Sequence, residues 1–201
     1  MSNYLDHLNL SQRKAVEQVT GPLMVIAGAG SGKTRVLTYR IVHLLKNGVD
    51  PFNILSLTFT NKAAKEMKDR VEKIVGPEAK NIWMGTFHSV FAKILRYEAD
   101  RIGYPSNFTI YDTDDSKALL RRIIKTMNLD KDIYKVNVIQ SRISSFKNNL
   151  ITVKAYENNS ELKTQDDAAH RPQMGLIYDT YVKECFKSGA MDFDDLLLKT
   201  N

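Results

Sequence analysis

Pro22-Leu23-Met24-Val25-Ile26-Ala27-Gly28-Ala29-Gly30-Ser31-Gly32-Lys33-Thr34 is an apolar run that empties into a glycine-rich turn. Leu23 to Ile26 has the length and β-branching of a buried strand, and Leu37, Ile41, Leu44 and Leu45 follow at helical spacing. Strand, loop and helix in that order is the context in which G-x-x-x-x-G-K-[ST] binds phosphate. Glycines at 28, 30 and 32 let the backbone take conformations closed to other residues, so that its N–H groups ring a phosphate at the helix N-terminus. Ala27, Gly28, Ala29, Gly30, Ser31 and Gly32 then form the cradle, Lys33 reaches the β- and γ-phosphates, and the Thr34 hydroxyl holds Mg²⁺. Ala27 stands where the first glycine of the pattern is expected, a departure that its small side chain tolerates. Kinases, GTPases, transporters and motors all use such a loop, so the loop by itself establishes phosphate binding and no particular enzyme.

The 201 residues include 29 Lys and Arg against 23 Asp and Glu, a net charge of +6 that favours a polyanionic partner, whether nucleic acid or the phosphates of a nucleotide. No stretch reaches the length of a membrane helix, and Met1 to Gln12 lacks the basic and apolar regions of a signal peptide, so a cytoplasmic protein without membrane attachment is expected. The single cysteine, Cys185, lies in an apolar helical pattern with Ile177, Tyr178, Tyr181 and Val182 and is expected in a core. It forms no internal disulfide and suggests no metal site.

Upstream of the loop, Asn9 or Ser11 is placed to cap a short helix bearing Ala15, Val16 and Val19. Gln12 is either a solvated residue of that helix or an amide that reads the donor–acceptor edge of adenine. After a turn at Asn47 to Pro51, Ile54 to Phe59 reads as a second strand, followed by a helix with Ala63, Ala64, Met67, Val71, Ile74 and Val75 inward and Gly76-Pro77 as its stop. Thr58, Phe59, Thr60, Asn61 and Lys62 lie between them, at the carboxyl end of the strand, where open α/β sheets hold their ligands. Their hydroxyls, amide and ammonium suit phosphate, and Phe59 either stacks on a base or fills the core. A third strand, Ile82 to Gly85, runs into Thr86-Phe87-His88-Ser89 and a helix with Phe87, Val90, Phe91, Ile94 and Leu95 on its apolar face. His88 contacts phosphate or caps that helix. Alternating strand and helix predict an α/β fold with a parallel sheet.

From about Phe91 to Gly189 the pattern is helical, as in an inserted subdomain. Phe108 to Asp112 imitates an apolar strand ending in a metal-binding acid, but Asp112, Asp114 and Asp115 fit better as the capped start of a helix bearing Leu119, Leu120, Ile123, Ile124 and Met127. A helix with Val136, Ile139, Ile143 and Phe146 inward leaves Lys135, Arg142 and Lys147 outside. Asn158 to Ala169 reads as a loop, Arg171 to Phe186 as a helix, and Asp192 as the cap of a last helix through Leu198. No apolar strand ending in Asp or Asp-Glu is found to complete a magnesium site.

Five stretches occur in the order seen in UvrD/Rep/PcrA-type superfamily 1 DNA helicases. They are Gln12 within Leu-Asn-x-x-Gln-x-x-Ala-Val, Ala27 to Arg35, Leu57 to Ala64, Gly85 to Ser89, and Asp192-Phe193-Asp194-Asp195-Leu196. The chain resembles that family nearly end to end, and the family also carries alanine at the position of Ala27. The resemblance implies a P-loop NTPase (RecA-like) partial parallel sheet with an inserted α-helical subdomain. Residues 1–90 correspond to motor domain 1A, 91–189 to helical subdomain 1B, and 190–201 to the return into 1A. It implies ATP and Mg²⁺ as cofactors, Gln12 reading adenine, Arg35 stacking on it, and Lys33 and Thr34 in catalysis. On DNA it implies Phe59 and Phe193 stacking on bases, with Thr58, Thr60, Asn61, Lys62, Thr86 and His88 beside the strand. The partners implied are single-stranded DNA and its junctions with duplex, and movement is 3′ to 5′. The acidic motif, the arginine fingers and the remaining domains (rest of 1A, 2A and 2B) are expected beyond Asn201, so this piece is expected to bind ATP and hardly hydrolyse it. Repair, replication restart and plasmid replication are not separated. The competing expectations are a non-catalytic nucleotide or nucleic-acid binding module and a P-loop nucleotide kinase.

Overall fold

A computed structural model describes residues 4–201; the first three residues of the polar N-terminal stretch lie outside the described residues. The chain divides into two compact units, one ending at Val90 and one running from Phe91 to Asn201.

In the first unit, α1 (Leu10–Glu17) starts at Asn9, whose side chain accepts the Gln12 N–H while the Gln12 side chain accepts the Asn9 N–H. This reciprocal cap satisfies two backbone donors that a helix start otherwise leaves open. α2 (Lys33–Lys46) packs on α1 through Val16 and Val36, and Arg40 on α2 donates to the carbonyls of Ala15 and Gln18 at the end of α1. β1 (Leu55–Thr58) leads through Thr60, whose hydroxyl accepts the Ala63 N–H, into α3 (Asn61–Val75). β2 (Trp83–Thr86) returns parallel to β1, with Leu55 opposite Trp83 and Thr58 opposite Thr86. Ile41, Ile54, Met67, Val71, Ala79 and Ile82 form the shared core of these elements.

The expected strand at Leu23 to Ile26 is not formed. Residues 22–28 have no regular structure, and the four side chains are between 42% and 91% exposed. A strand exists only where a neighbour takes its backbone groups, and the sheet of the first unit, among the described residues, consists of β1 and β2 alone.

α4 (Phe87–Tyr97) carries the chain into the second unit. There β3 (Thr109–Tyr111) precedes α5 (Thr113–Thr126), capped by Asp112 and Asp115 as the sequence suggests. β3 is nonetheless a strand, paired in parallel with β4 (Ala190–Asp192). α6 (Val136–Asn148), α7 (Val153–Glu157), α8 (Ser160–Ala168) and α9 (Met174–Lys187) lie between them in sequence, and α10 (Phe193–Leu198) follows β4. The core gathers Leu120, Ile124, Ile139, Phe146, Tyr178 and Tyr181, and Cys185 is buried in it as expected.

Two readings of this region need correction. Asn158 to Ala169 is mostly helix: the Asn159 side chain caps α8 by accepting the Leu162 N–H, and Asp166 anchors the helix inward. Of the three cations expected outside, only Lys135 is exposed. Arg142 holds the buried Asp166 at 3.1 Å, and Lys147 is buried.

Candidate nucleotide and nucleic-acid sites

The glycine-rich loop closes on itself before α2 begins. The Ser31 hydroxyl donates to the Gly28 carbonyl at 2.7 Å, and the Lys33 ammonium folds back to donate to the carbonyls of Ala27 and Gly28 at 3.0 and 2.7 Å. Gly32 is the N-cap of α2 at φ 88°, a left-handed conformation that costs a side-chain-bearing residue about 1–2 kcal/mol. A Cβ at this position would also lie 2.6 Å from Gln12 Nε2. We expect Gly32→Ala to lower the thermal midpoint of the first unit and to weaken binding of a fluorescent ATP analogue; an analogue affinity equal to that of the parent would show that the loop tolerates the change.

Gln12 is held against the loop, its Nε2 donating to the Ser31 carbonyl at 3.0 Å. With Gly30, Ser31, Gly32, Lys33, Thr34 and Arg35 it lines a cleft of about 390 Å³. Arg70 of α3 lines the same cleft, a contribution absent from the sequence reading because it lies far beyond the loop. The lining carries the cations Lys33, Arg35 and Arg70 and no carboxylate, although Arg70 also pairs with Glu66 on its own helix. Such a field suits a polyphosphate. Thr34 sits in the first turn of α2 and offers one neutral oxygen. Among the described residues no group of three His, Cys, Asp or Glu is arranged for a metal. A single neutral hydroxyl in the first turn of α2 suits Mg²⁺ as an ion that keeps most of its shell from phosphate and water.

A second set of residues meets at the carboxyl ends of β1 and β2. The parallel register sets Thr58 beside Thr86, so the residues that follow each strand are neighbours as well. Phe59 is 91% exposed, and its ring lies 5.5 Å from that of Phe87. The core alternative for Phe59 is thereby removed, and Phe87, read from sequence as a face of α4, joins it. Thr58 donates to the Thr60 carbonyl, Thr60 caps α3, and Asn61 and Lys62 are exposed in its first turn. The Ser89 N–H is accepted by the Thr86 hydroxyl, so Thr86 caps the start of α4.

Phe193 belongs to the second unit and is half exposed at the start of α10. Beneath it, Lys147 Nζ lies 2.7 Å from Asp192 Oδ2 and 2.9 Å from Asp195 Oδ2, and the Tyr181 hydroxyl donates to Asp192 Oδ2 at 2.9 Å. Burial works against the charge on Asp192, but the Lys147 ammonium outweighs it and holds this carboxyl below the ordinary carboxylate range. Burial pushes Asp195 up, with the neighbouring Asp192 adding to the shift against the pull of Lys147. For Lys147 itself, burial is overcome by the two carboxylates, which hold the ammonium above its ordinary range.

Residues 8–201 match the family described as the UvrD/REP helicase N-terminal domain. The chain is 44% identical over 207 aligned positions to a protein named ATP-dependent DNA helicase PcrA from Staphylococcus aureus (strain NCTC 8325 / PS 47), covering 100% of this chain and 27% of the relative. The protein of the same name from Staphylococcus epidermidis (strain ATCC 12228 / FDA PCI 1200) is 44% identical with the same coverage. The chain thus spans about a quarter of the length of these relatives.

Proposed function

The chain belongs to the UvrD/REP helicase N-terminal domain family, and we propose that it is the ATP- and DNA-gripping part of an ATP-dependent helicase that moves 3′ to 5′ on single-stranded DNA. One observation carries this reading. Helix α3 begins with the exposed Asn61 and Lys62, separated from Phe59 only by the capping Thr60, and nine residues beyond Asn61 presents Arg70 to the nucleotide cleft. A helix rises 1.5 Å per residue, so one rigid rod of about 14 Å joins the two sites. A shift of Arg70 on nucleotide binding would be passed to the residues beside the strand.

In this reading ATP lies in the P-loop of a RecA-like domain, with the backbone of Ala27 to Gly32 around its phosphates, Lys33 on the β- and γ-phosphates and Gln12 and Arg35 at the adenine. Bound Mg²⁺ would be held at the Thr34 hydroxyl and would neutralise charge on the phosphates. Thr58, Phe59, Thr60, Asn61, Lys62, Thr86, His88 and Phe193 grip the strand, the aromatics by stacking, which suits a motor that holds any sequence. Residues 91–189 are the inserted helical subdomain, and the protein's partners are single-stranded DNA and its junctions with duplex. Residues 190–201 lead back to the motor domain, and the remaining helicase domains supply the acidic motif and the arginine fingers. Strand partners for Leu23 to Ile26 belong to the same missing part. No helix of the described residues is long and apolar enough to cross a membrane, and we place the protein in the cytoplasm. This chain alone is expected to bind ATP and hydrolyse it poorly; robust DNA-stimulated turnover by it would overturn that expectation.

Phe59→Ala tests the strand-binding half. Loss of one base stack, about 1–3 kcal/mol, weakens oligothymidylate binding between fivefold and over a hundredfold. An affinity equal to that of the parent, measured by fluorescence anisotropy, would remove Phe59 from the DNA path.

A further inference from the structure

Phe193 is an exposed ring whose two chain neighbours are both tied down to one helix end. Asp192 is bound by Lys147 and Asp194 by Asn148, whose Nδ2 donates to Asp194 Oδ1 at 2.9 Å. Lys147 and Asn148 are consecutive, at the last turn of α6. The same Lys147 ammonium also reaches Asp195, which with Asp192 forms the cap that starts α10. The cap by itself fixes only the local turn. The ties to α6 fix where that turn sits, and with it the ring, which borders a cavity of about 230 Å³ together with Tyr111, Gln140 and Ser144.

A lysine that is fully buried and paired with two acids is costly to desolvate and is often no better for stability than apolar packing. A role in holding geometry accounts for its presence here. The side chains involved pack against Tyr181, whose ring lies 5.1 Å from the ammonium and whose hydroxyl donates to the same Asp192 Oδ2 that Lys147 holds. No solvent-exposed charge in the cluster offers a phosphate contact in its place: the Lys147 side chain is 0% exposed.

We infer that Lys147, with Asn148 beside it, is a positioning residue that presents the ring of Phe193 to a nucleobase of single-stranded DNA. This inference rests on the reading that Phe193 lies on the DNA path. Lys147 touches no DNA; it sets the origin of α10 against α6, so that stacking needs no reordering of the turn.

The test is photo-crosslinking of an oligothymidylate carrying 5-iododeoxyuridine, a base that couples to stacked aromatic rings, with the crosslinked residue located by peptide mass spectrometry at saturating protein. Lys147→Met removes the tie but leaves two buried acids. A double variant, Lys147→Met with Asp195→Asn, also cuts the tie while keeping the capping oxygen of residue 195, and serves if the single variant fails to fold. The parent is expected to crosslink at both Phe59 and Phe193. In the double variant the Phe193 yield falls about tenfold while the Phe59 yield persists. An unchanged Phe193 yield overturns the inference and leaves the DNA reading standing. An equal loss at both rings makes Lys147 a residue of general stability and also overturns it. A parent that crosslinks at Phe59 and not at Phe193 removes Phe193 from the path, and the inference falls with that reading.

Discussion

Under the proposed function, with Lys33 replaced by alanine, the full-length protein is expected to hydrolyse ATP about 10²–10³-fold more slowly in the presence of DNA, the usual effect of removing one preorganised donor from developing phosphate charge. The ammonium now folded onto the carbonyls of Ala27 and Gly28 must swing to the nucleotide, and no other lining cation is set on the loop in this way. Arg35 and Arg70 remain to attract the polyphosphate, so affinity for an ATP analogue falls much less than turnover. Steady-state hydrolysis and analogue titration on the same preparation check this. Turnover within threefold of the parent would move the catalytic cation elsewhere.

Lys147→Met is expected to cost the second unit about 3–5 kcal/mol, because two buried carboxylates lose their shared cation. For a unit of this size the thermal midpoint then drops by more than about 10 °C. The pH dependence carries a sign as well. In the parent, Asp192 is held below its ordinary value of 3.8, so its contribution is present above that pH and is lost as pH falls through the native value. Lys147 is held above its ordinary value of 10.5, so its contribution is full below that pH and is lost as pH rises through the native value. In the variant, burial and mutual repulsion raise both acids, and a folded state that binds protons more tightly gains stability as pH falls. Asp195 is already held up in the parent, which therefore also gains some stability as pH falls; the variant, in which Asp192 is raised as well, is expected to gain more in denaturant unfolding between about pH 7 and pH 5.

What was legible in the sequence was what local chemistry determines. Asp112 caps the helix its spacing announced, Gly76 ends α3 at φ 83°, and Thr60, placed by the sequence among the phosphate contacts, caps α3. The strands β1 and β2 fall within a residue or two of their expected bounds because each is followed by a capped helix. By contrast β3 and β4 have three residues each, too few for alternation to register, and their paired residues lie just over eighty positions apart. α8 reads as loop because only Leu162 and the terminal Ala168 break its polar run, and what orders it is the long-range hold of Arg142 on Asp166. The same limit applies to the sites. Gln12 and the loop from Ala27 to Arg35 could be gathered from motifs, whereas Arg70 reaches the cleft, and Phe87 the side of Phe59, only through folding. Lys147 was misplaced for a physical reason: a lysine on a helix is assigned to water unless the acids that bury it are known, and these lie 45 and 48 residues downstream.

The exposed stretch Leu23 to Ile26, which has no regular structure, has a consequence for handling this chain. It combines apolar side chains with a backbone that joins no ladder among the described residues, Met24 and Ile26 being 84% and 91% exposed. A segment of that character is a template onto which a second chain can add a strand. Self-association of this chain is expected to begin at this segment, as a hazard separate from fold stability.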